Sequence, residues 1–310
     1  MTMPNGGMPH GGMLDGKVAV VTGAGRGIGR AHARLLAAEG ARVVVNDLGT
    51  ATAGDGTDTT PARVVVDEIV AAGGAAAANS DNVATWKGAS ALVQQAIDEF
   101  GRLDIVVNNA GILRDAMSFN ITEAEWDSVI EVHLKGHLAV CHHAVKHWRS
   151  LGKAGEPVSG RIINTASESG LYGQAGQINY ATAKAGIVSM TIVLAREMKK
   201  YGVTANVVCP RALTRMTETV VGAADFMGGP EWEPENISPL VVFLASDAAA
   251  DVSGQVFVVW GTRVHLMEGF TLANTLDRGE GRWTPQEIAD RKDELFAGRA
   301  SKVPPMGFGQ

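Results

Sequence analysis

Across 310 residues the chain carries only two cysteines, Cys141 and Cys209, with 5% aromatic and 19% charged side chains. Two thiols without partners at metal-ligand spacing argue against a disulfide framework and read as reduced core residues. Basic charge is scarce too: 27 Lys and Arg stand against 33 Asp and Glu, the formal net charge is -6, and no Lys/Arg run exceeds a pair. That balance offers no field for gripping a phosphate backbone, so no nucleic-acid partner is expected. Trp148, Trp232, Trp260 and Trp283 are too scattered to form a base-stacking platform. The opening MTMPNGGMPHGGM lacks a charged stretch followed by an apolar one, and no apolar run approaches the ~20 residues that span a bilayer. The expectation is therefore a cytoplasmic protein with no membrane partner.

What is abundant is apolar residues, 45% of the chain, enough for one large core. They fall into short runs, KVAVVT, ARVVVN, AAAAN, LDIVVN, GRIINT, VTANVV and QVFVV, separated by longer helical patterns. The runs are apolar at consecutive positions, so both faces of the sheet they form should be covered by helices. The pattern predicts an α/β fold: a three-layer α/β/α Rossmann arrangement with a doubly wound parallel sheet of about seven strands. It divides the chain into a flexible segment over 1–13, an α/β domain over 14–261 and a C-terminal extension over 262–310. Residues 48 to 62, rich in Gly and Thr, read as a surface insertion, and residues 211 to 235 as a mobile lid. The extension is irregular and charged, and is expected to pack across a neighbour or fray.

Directly after the first strand comes TGAGRGIG, residues 22 to 29. Its glycines, Gly23, Gly27 and Gly29, permit positive φ and let backbone N–H groups approach a pyrophosphate at a helix N-terminus. The spacing is not G-x-G-x-x-G, because Ile28 occupies the last expected glycine position. A tight strand-to-helix connection would use similar residues, and Asp47 weighs against that plain alternative. Asp47 ends the second strand, 18 residues beyond Gly29, where a carboxylate accepts from both ribose hydroxyls and repels a 2′-phosphate. That favours NAD over NADP, with Arg26 as the residue to meet a phosphate if the carboxylate turned away. Asp81, after the third strand, suits the adenine amino group or equally a helix cap.

Tyr180 and Lys184 in YATAK lie four residues apart on a helical pattern and share a face. A free phenol has a pKa of about 10; a nearby ammonium is expected to lower it, so that tyrosine relays a proton while hydride moves to or from nicotinamide. Ser167, 13 residues before Tyr180, follows the fifth strand at the ligand-binding end of the sheet and would polarise the substrate oxygen.

TGAGRGIG, the NNAG of residues 108 to 111, Ser167 with YATAK, and the segment Pro210 to Thr214 together resemble the short-chain dehydrogenase/reductase family over about residues 14–261. The resemblance implies an alcohol–ketone oxidoreductase with Tyr180 as acid/base, Lys184 lowering its pKa and holding ribose, and Ser167 orienting substrate. Asn108 would brace the cofactor floor. Asp81, Asn82, Asn109, Ala110 and Gly111 would border the nucleotide, and Pro210 with Thr214 the nicotinamide side. Where the family commonly has an Asn that supports a proton-relay water, EVHLKG supplies His133, whose backbone carbonyl would serve as well. The resemblance also implies a homotetramer built from the helices after NNAG and after Tyr180 with the last strand.

Within the family, VVVNDLG with its insertion, VVNNAGILRD, VHLKG, SGLYGQAGQINYATAKAG and TRMTET are similar to two related groups. These are the (3R)-hydroxyacyl-CoA dehydrogenase domains of peroxisomal multifunctional enzymes and the bacterial 17β-hydroxysteroid dehydrogenases. The implied substrate is a 3-hydroxyacyl thioester or a hydroxysteroid, with the apolar Leu213, Met216, Val220, Val221, Phe226 and Met227 suited to cover it or the cofactor. An NADPH-dependent 3-oxoacyl carrier reductase and a non-catalytic nucleotide-sensing module are the alternatives. His133, His137, His142, His143 and His147 crowd one helix without an accompanying carboxylate, so no metal is expected.

Overall fold

The computed structural model describes residues 12–214 and 228–299. Met216, Val220, Val221, Phe226 and Met227, and with them most of the expected lid, lie outside the described residues.

The strands are β1 (Val18–Thr22), β2 (Arg42–Asn46), β3 (Ala75–Asn79), β4 (Ile105–Asn108), β5 (Arg161–Thr165), β6 (Thr204–Pro210), β7 (Val256–Trp260) and β8 (Arg263–Leu266). They form one sheet in the order β3-β2-β1-β4-β5-β6-β7-β8. All neighbours are parallel except β7 and β8, which pair antiparallel. Every residue of β1, β4 and β5 is buried, because alternate side chains serve opposite faces and both faces are covered. Ala19, Val21, Val43 and Val45 pack against α1 (Gly27–Ala38), α2 (Thr60–Ala71) and the Leu240–Leu244 region. Val18, Val20, Val44 and Val106 pack on the other side, against α3 (Trp86–Phe100), α5 (Gly136–Lys153) and α7 (Ile178–Met198).

Local chemistry sets the ends of these elements. Thr85 caps α3 by accepting the Gly88 N–H at 3.0 Å, so Asp81 is not that helix's cap. A capping box between Thr122 and Glu125 starts α4 (Glu123–Ile130). A π-helical turn, Glu131–Lys135, joins α4 to α5 and carries His133. The buried Trp148 of α5 donates its Nε1–H to the Leu103 carbonyl at 2.7 Å, fixing that helix at the foot of β4.

Three expectations need correction. The sheet has eight strands: at Gly261 (φ +51°) the chain turns back and the alternating RVHL pairs with β7 as an edge strand, too short and exposed to stand out in a charged stretch. The insertion stops before residue 60, since Pro61 suits the first turn of α2, and it is not a bare surface loop. Its residues fold back on Arg114, which donates from Nε to the Ala53 carbonyl (2.7 Å) and from Nη2 to Asp55 (2.8 Å). Finally, the helix Ile178–Tyr201 contains an 18-residue stretch whose length and mean hydropathy, 1.3, are those that can cross a bilayer. That helix nevertheless lies along the sheet, with Lys184, Ile187 and Leu194 buried on its inner side.

Candidate active site

In this strand order the chain reverses direction between β1 and β4, and the crevice at the carboxyl ends there is where open α/β sheets take ligands. A cleft of about 580 Å³ occupies it, lined by the catalytic and nucleotide-bordering residues expected from sequence. Gly23, Arg26, Gly27, Ile28 and Gly29 come from the turn after β1, Asp47 from the end of β2, and Asp81 with Asn82 from beyond β3. Asn109, Ala110 and Gly111 follow β4, Ser167 follows β5, and Pro210 and Thr214 come from the end of β6 and just past it. His133, Tyr180 and Lys184 enter from the helices.

The first turn is shaped for close backbone approach. Gly23 adopts φ +62°, and a Cβ at Gly29 would lie 2.2 Å from the Gly23 carbonyl oxygen. Asn109 ties this turn to the end of β4, donating from Nδ2 to the Thr22 and Gly23 carbonyls at 3.0 and 3.1 Å. Beneath it the buried Asn108 donates to Asn164 at 2.9 Å, joining β4 to β5. Asp47 accepts the Gly25 and Gly49 N–H groups, one on each carboxylate oxygen, both at 2.7 Å. Asp81 is held by Asn79, whose Nδ2 donates to its carboxylate at 2.7 Å. A glycine cradle, a helix N-terminus with no side-chain cap among the described residues, and an anchored carboxylate together suit the pyrophosphate and ribose of a dinucleotide.

At the other end of the cleft, Lys184 Nζ lies 5.4 Å from the Tyr180 ring centroid and donates to the Thr165 carbonyl at 2.6 Å. The two side chains therefore do share a face. The expected lowering of the phenol pKa is not found in the protein alone. Burial pushes Tyr180 up to about 12, opposed by the Ser167 hydroxyl, and burial brings Lys184 down to about 7. Desolvation disfavours the charged form of each, and for the phenol it is the largest influence. Ser167 caps α6 (Glu168–Tyr172), its Oγ accepting the Ser169 N–H at 3.2 Å.

His133 is buried with its ring edge-on to Tyr180, the centroids 5.1 Å apart at 89°. Its Nε2 is 3.0 Å from the Ile112 nitrogen and 2.8 Å from the Ile112 oxygen, so it accepts from one or donates to the other according to tautomer. Burial and the Lys184 charge lower its pKa to about 3, which leaves it neutral and unsuited to act as a base at neutral pH. Gly111 makes room for it: a Cβ there would meet the imidazole at 2.4 Å.

Sequence reasoning missed the insertion residues Thr50–Asp55 and Arg114 as walls of the cleft. Their signal is a lone arginine after NNAG together with an acidic loop, a pairing visible only once the chain folds. Among the described residues no group of three His, Cys, Asp or Glu side chains is placed to hold a metal.

The sequence profile of the short chain dehydrogenase family matches residues 17–224. A hydroxyacyl-CoA dehydrogenase of Mycobacterium tuberculosis, ChsB1, is 47% identical over 295 residues, 92% of this chain and 90% of that protein. The peroxisomal multifunctional enzyme type 2 of Drosophila melanogaster is 41% identical over 257 residues, 82% of this chain but 41% of the longer enzyme. The crystal structure of a short chain dehydrogenase from Mycobacterium avium superposes with a TM-score of 0.85 at 51% identity, over 96% of this chain and all of that one. Fold, cleft and relatives agree: the chain belongs to the short-chain dehydrogenase/reductase family, whose members are oxidoreductases using a nicotinamide cofactor.

Proposed function

We propose that the protein oxidises the secondary alcohol of a 3-hydroxyacyl-CoA to a ketone with NAD, using Tyr180 as the proton-transferring group. The observation that carries this reading is the meeting of Ser167, Tyr180 and Lys184 at one end of a cleft whose other end is a glycine cradle beside an anchored Asp47. The acyl-CoA class is supported by the hydroxyacyl-CoA dehydrogenase at 47% identity. Asp47 supports NAD, because its carboxylate is held by two backbone N–H groups and is not free to swing from a 2′-phosphate.

Oxidised nicotinamide, when bound, would supply the hydride acceptor and a positive charge that favours the phenolate. Ser167 orients the carbinol oxygen, and Tyr180, ionised by passing its phenolic proton to Lys184, accepts the carbinol proton on Oη as hydride leaves the carbinol carbon. Lys184, brought down to about 7 by burial, can as a neutral amine accept that phenolic proton near neutral pH and pass it on. His133 keeps the Ile112 segment and the Tyr180 ring in register as a neutral group. We infer further that the working unit is a cytoplasmic homotetramer. The exposed Leu138 on α5 and the exposed Ile178 and Val193 on α7 support self-association, and two free buried thiols suit a reducing compartment.

The test is Tyr180→Phe assayed by NADH formation from 3-hydroxybutyryl-CoA, with a hydroxysteroid in parallel. Turnover should fall by at least about a hundredfold while NADH binding stays within a few-fold, since only the proton relay is removed. Undiminished turnover would overturn the role of Tyr180; faster oxidation of the steroid would overturn the substrate.

A further inference from the structure

Two charged residues that line no part of the cleft stand immediately next to residues that do. Glu168 follows Ser167, and Arg211 follows Pro210. Their side chains form a bidentate ion pair, Arg211 Nε donating to Glu168 Oε2 at 2.5 Å and Nη2 to Oε1 at 2.7 Å, with only 17% and 7% of the two side chains exposed. The guanidinium also lies 5.4 Å from the centre of the Trp260 ring, itself stacked on Trp232 at 5.2 Å. A pair taken this far out of water costs desolvation and holds only with geometry of this quality.

Its place in the fold explains what the pair is for. The strand pairing of β5 with β6 ends at Thr165 opposite Val208, and the Ala166 N–H donates to the Val208 carbonyl at 2.9 Å as the last backbone bond between them. Ser167 and Pro210 both lie beyond that point, so the ladder does not fix one against the other. The Arg211 backbone is held instead from the far side, its N–H donating to the Val259 carbonyl at 3.0 Å. Arg211 thus sits on a firm base, and its fork reaches across to the residue after Ser167.

We propose that the Glu168–Arg211 pair is a positioning element that sets Ser167 against the Pro210 side of the cleft for hydride transfer. The proposal rests on the reading of Ser167 as the substrate-orienting residue. Displacements of about 1 Å in a reacting group cost up to about a hundredfold in rate, so loss of the clamp should be seen in kcat.

The experiment is a double-mutant cycle with Glu168→Gln, Arg211→Gln and the two combined, assayed with 3-hydroxybutyryl-CoA and NAD. Each single variant should lower kcat at least about tenfold, with KM changing less than kcat and NADH dissociation within about twofold. The combined variant should lose no more than either alone, because the two act as one unit. Additive losses, kcat within twofold of the parent, or losses that vanish after division by the folded fraction would each overturn the proposal. Should Glu168→Gln fail to fold, Arg211→Lys, which keeps the charge and loses the fork, decides by the same kcat criterion. Ser167→Ala runs alongside: if it keeps full turnover the underlying reading fails, and if it alone loses turnover only the clamp is dismissed.

Discussion

Asp47 illustrates how much one carboxylate can decide. Each oxygen accepts one backbone N–H, from Gly25 and Gly49, which holds the group in place and leaves further lone pairs on each oxygen for a vicinal diol. Gly25 has to lack a side chain for this, as a Cβ there would come within 2.8 Å of the carboxylate. A phosphate on the 2′-oxygen would meet a like charge that cannot turn aside. Asp47→Ala is therefore expected to weaken NADH binding by about ten- to a hundredfold, corresponding to the loss of hydrogen bonds to a charged acceptor, and to narrow the gap to NADPH. Fluorescence titration with both nucleotides measures this; a parent protein that binds NADPH more tightly would refute it. Arg26, in the same cleft, is the residue left to meet a 2′-phosphate in that variant.

Between elements, the contact of α1 with the start of the Ser238–Ala245 helix is polar at its centre: His32 Nδ1 lies 2.9 Å from Ser238 Oγ, with the imidazole buried. Burial lowers the His32 pKa to about 3, from an ordinary value of 6.5. On acidification the unfolded chain takes up the proton first, so it binds more protons than the folded one between pH 6.5 and 3, and stability falls as pH falls through that window. His32→Gln should remove on the order of 4 kcal/mol of that acid loss, measured by denaturant unfolding at a series of pH values. Identical pH slopes in the two proteins would show that His32 carries none of it. Burial of this kind was not readable in the sequence, where His32 is one polar residue in a helix. The parallel strands, the glycine turn and the YATAK pair were readable, because each follows from periodicity or spacing along the chain. The edge strand β8, the Arg114 wall and the Glu168–Arg211 clamp were not. Each joins residues whose partners are fixed only by the folded sheet.

At the scale of the whole molecule, apolar residues cluster as exposed on two faces among the described residues. One is the outer side of α5 and α7; the other begins at β8, where Val264 and Leu266 are exposed, and continues to Phe270 and Leu272, which touch little of their own chain. The extension instead organises itself, Asn274 donating to the Glu294 and Leu295 carbonyls and Arg291 to the Asp277 carbonyl. A self-supporting arm with a bare apolar stem suits contact with another copy. Phe270→Asp combined with Leu272→Asp should shift the protein toward smaller assemblies in light scattering, with the cleft chemistry of each chain intact. An unchanged mass at all dilutions would dismiss the arm as a contact.

The position of the β1–β4 crossover has a consequence for how such a chain can be remodelled. The cleft residues proposed to face a nucleotide's adenosine and phosphates come from before Ile112, whereas Ser167, Tyr180 and Lys184, proposed to act at the reacting carbon, all come from the later half. On the proposed reading, coenzyme preference and alcohol preference are written in stretches of sequence on either side of Ile112. Recombination there would shuffle one trait without rewriting the other.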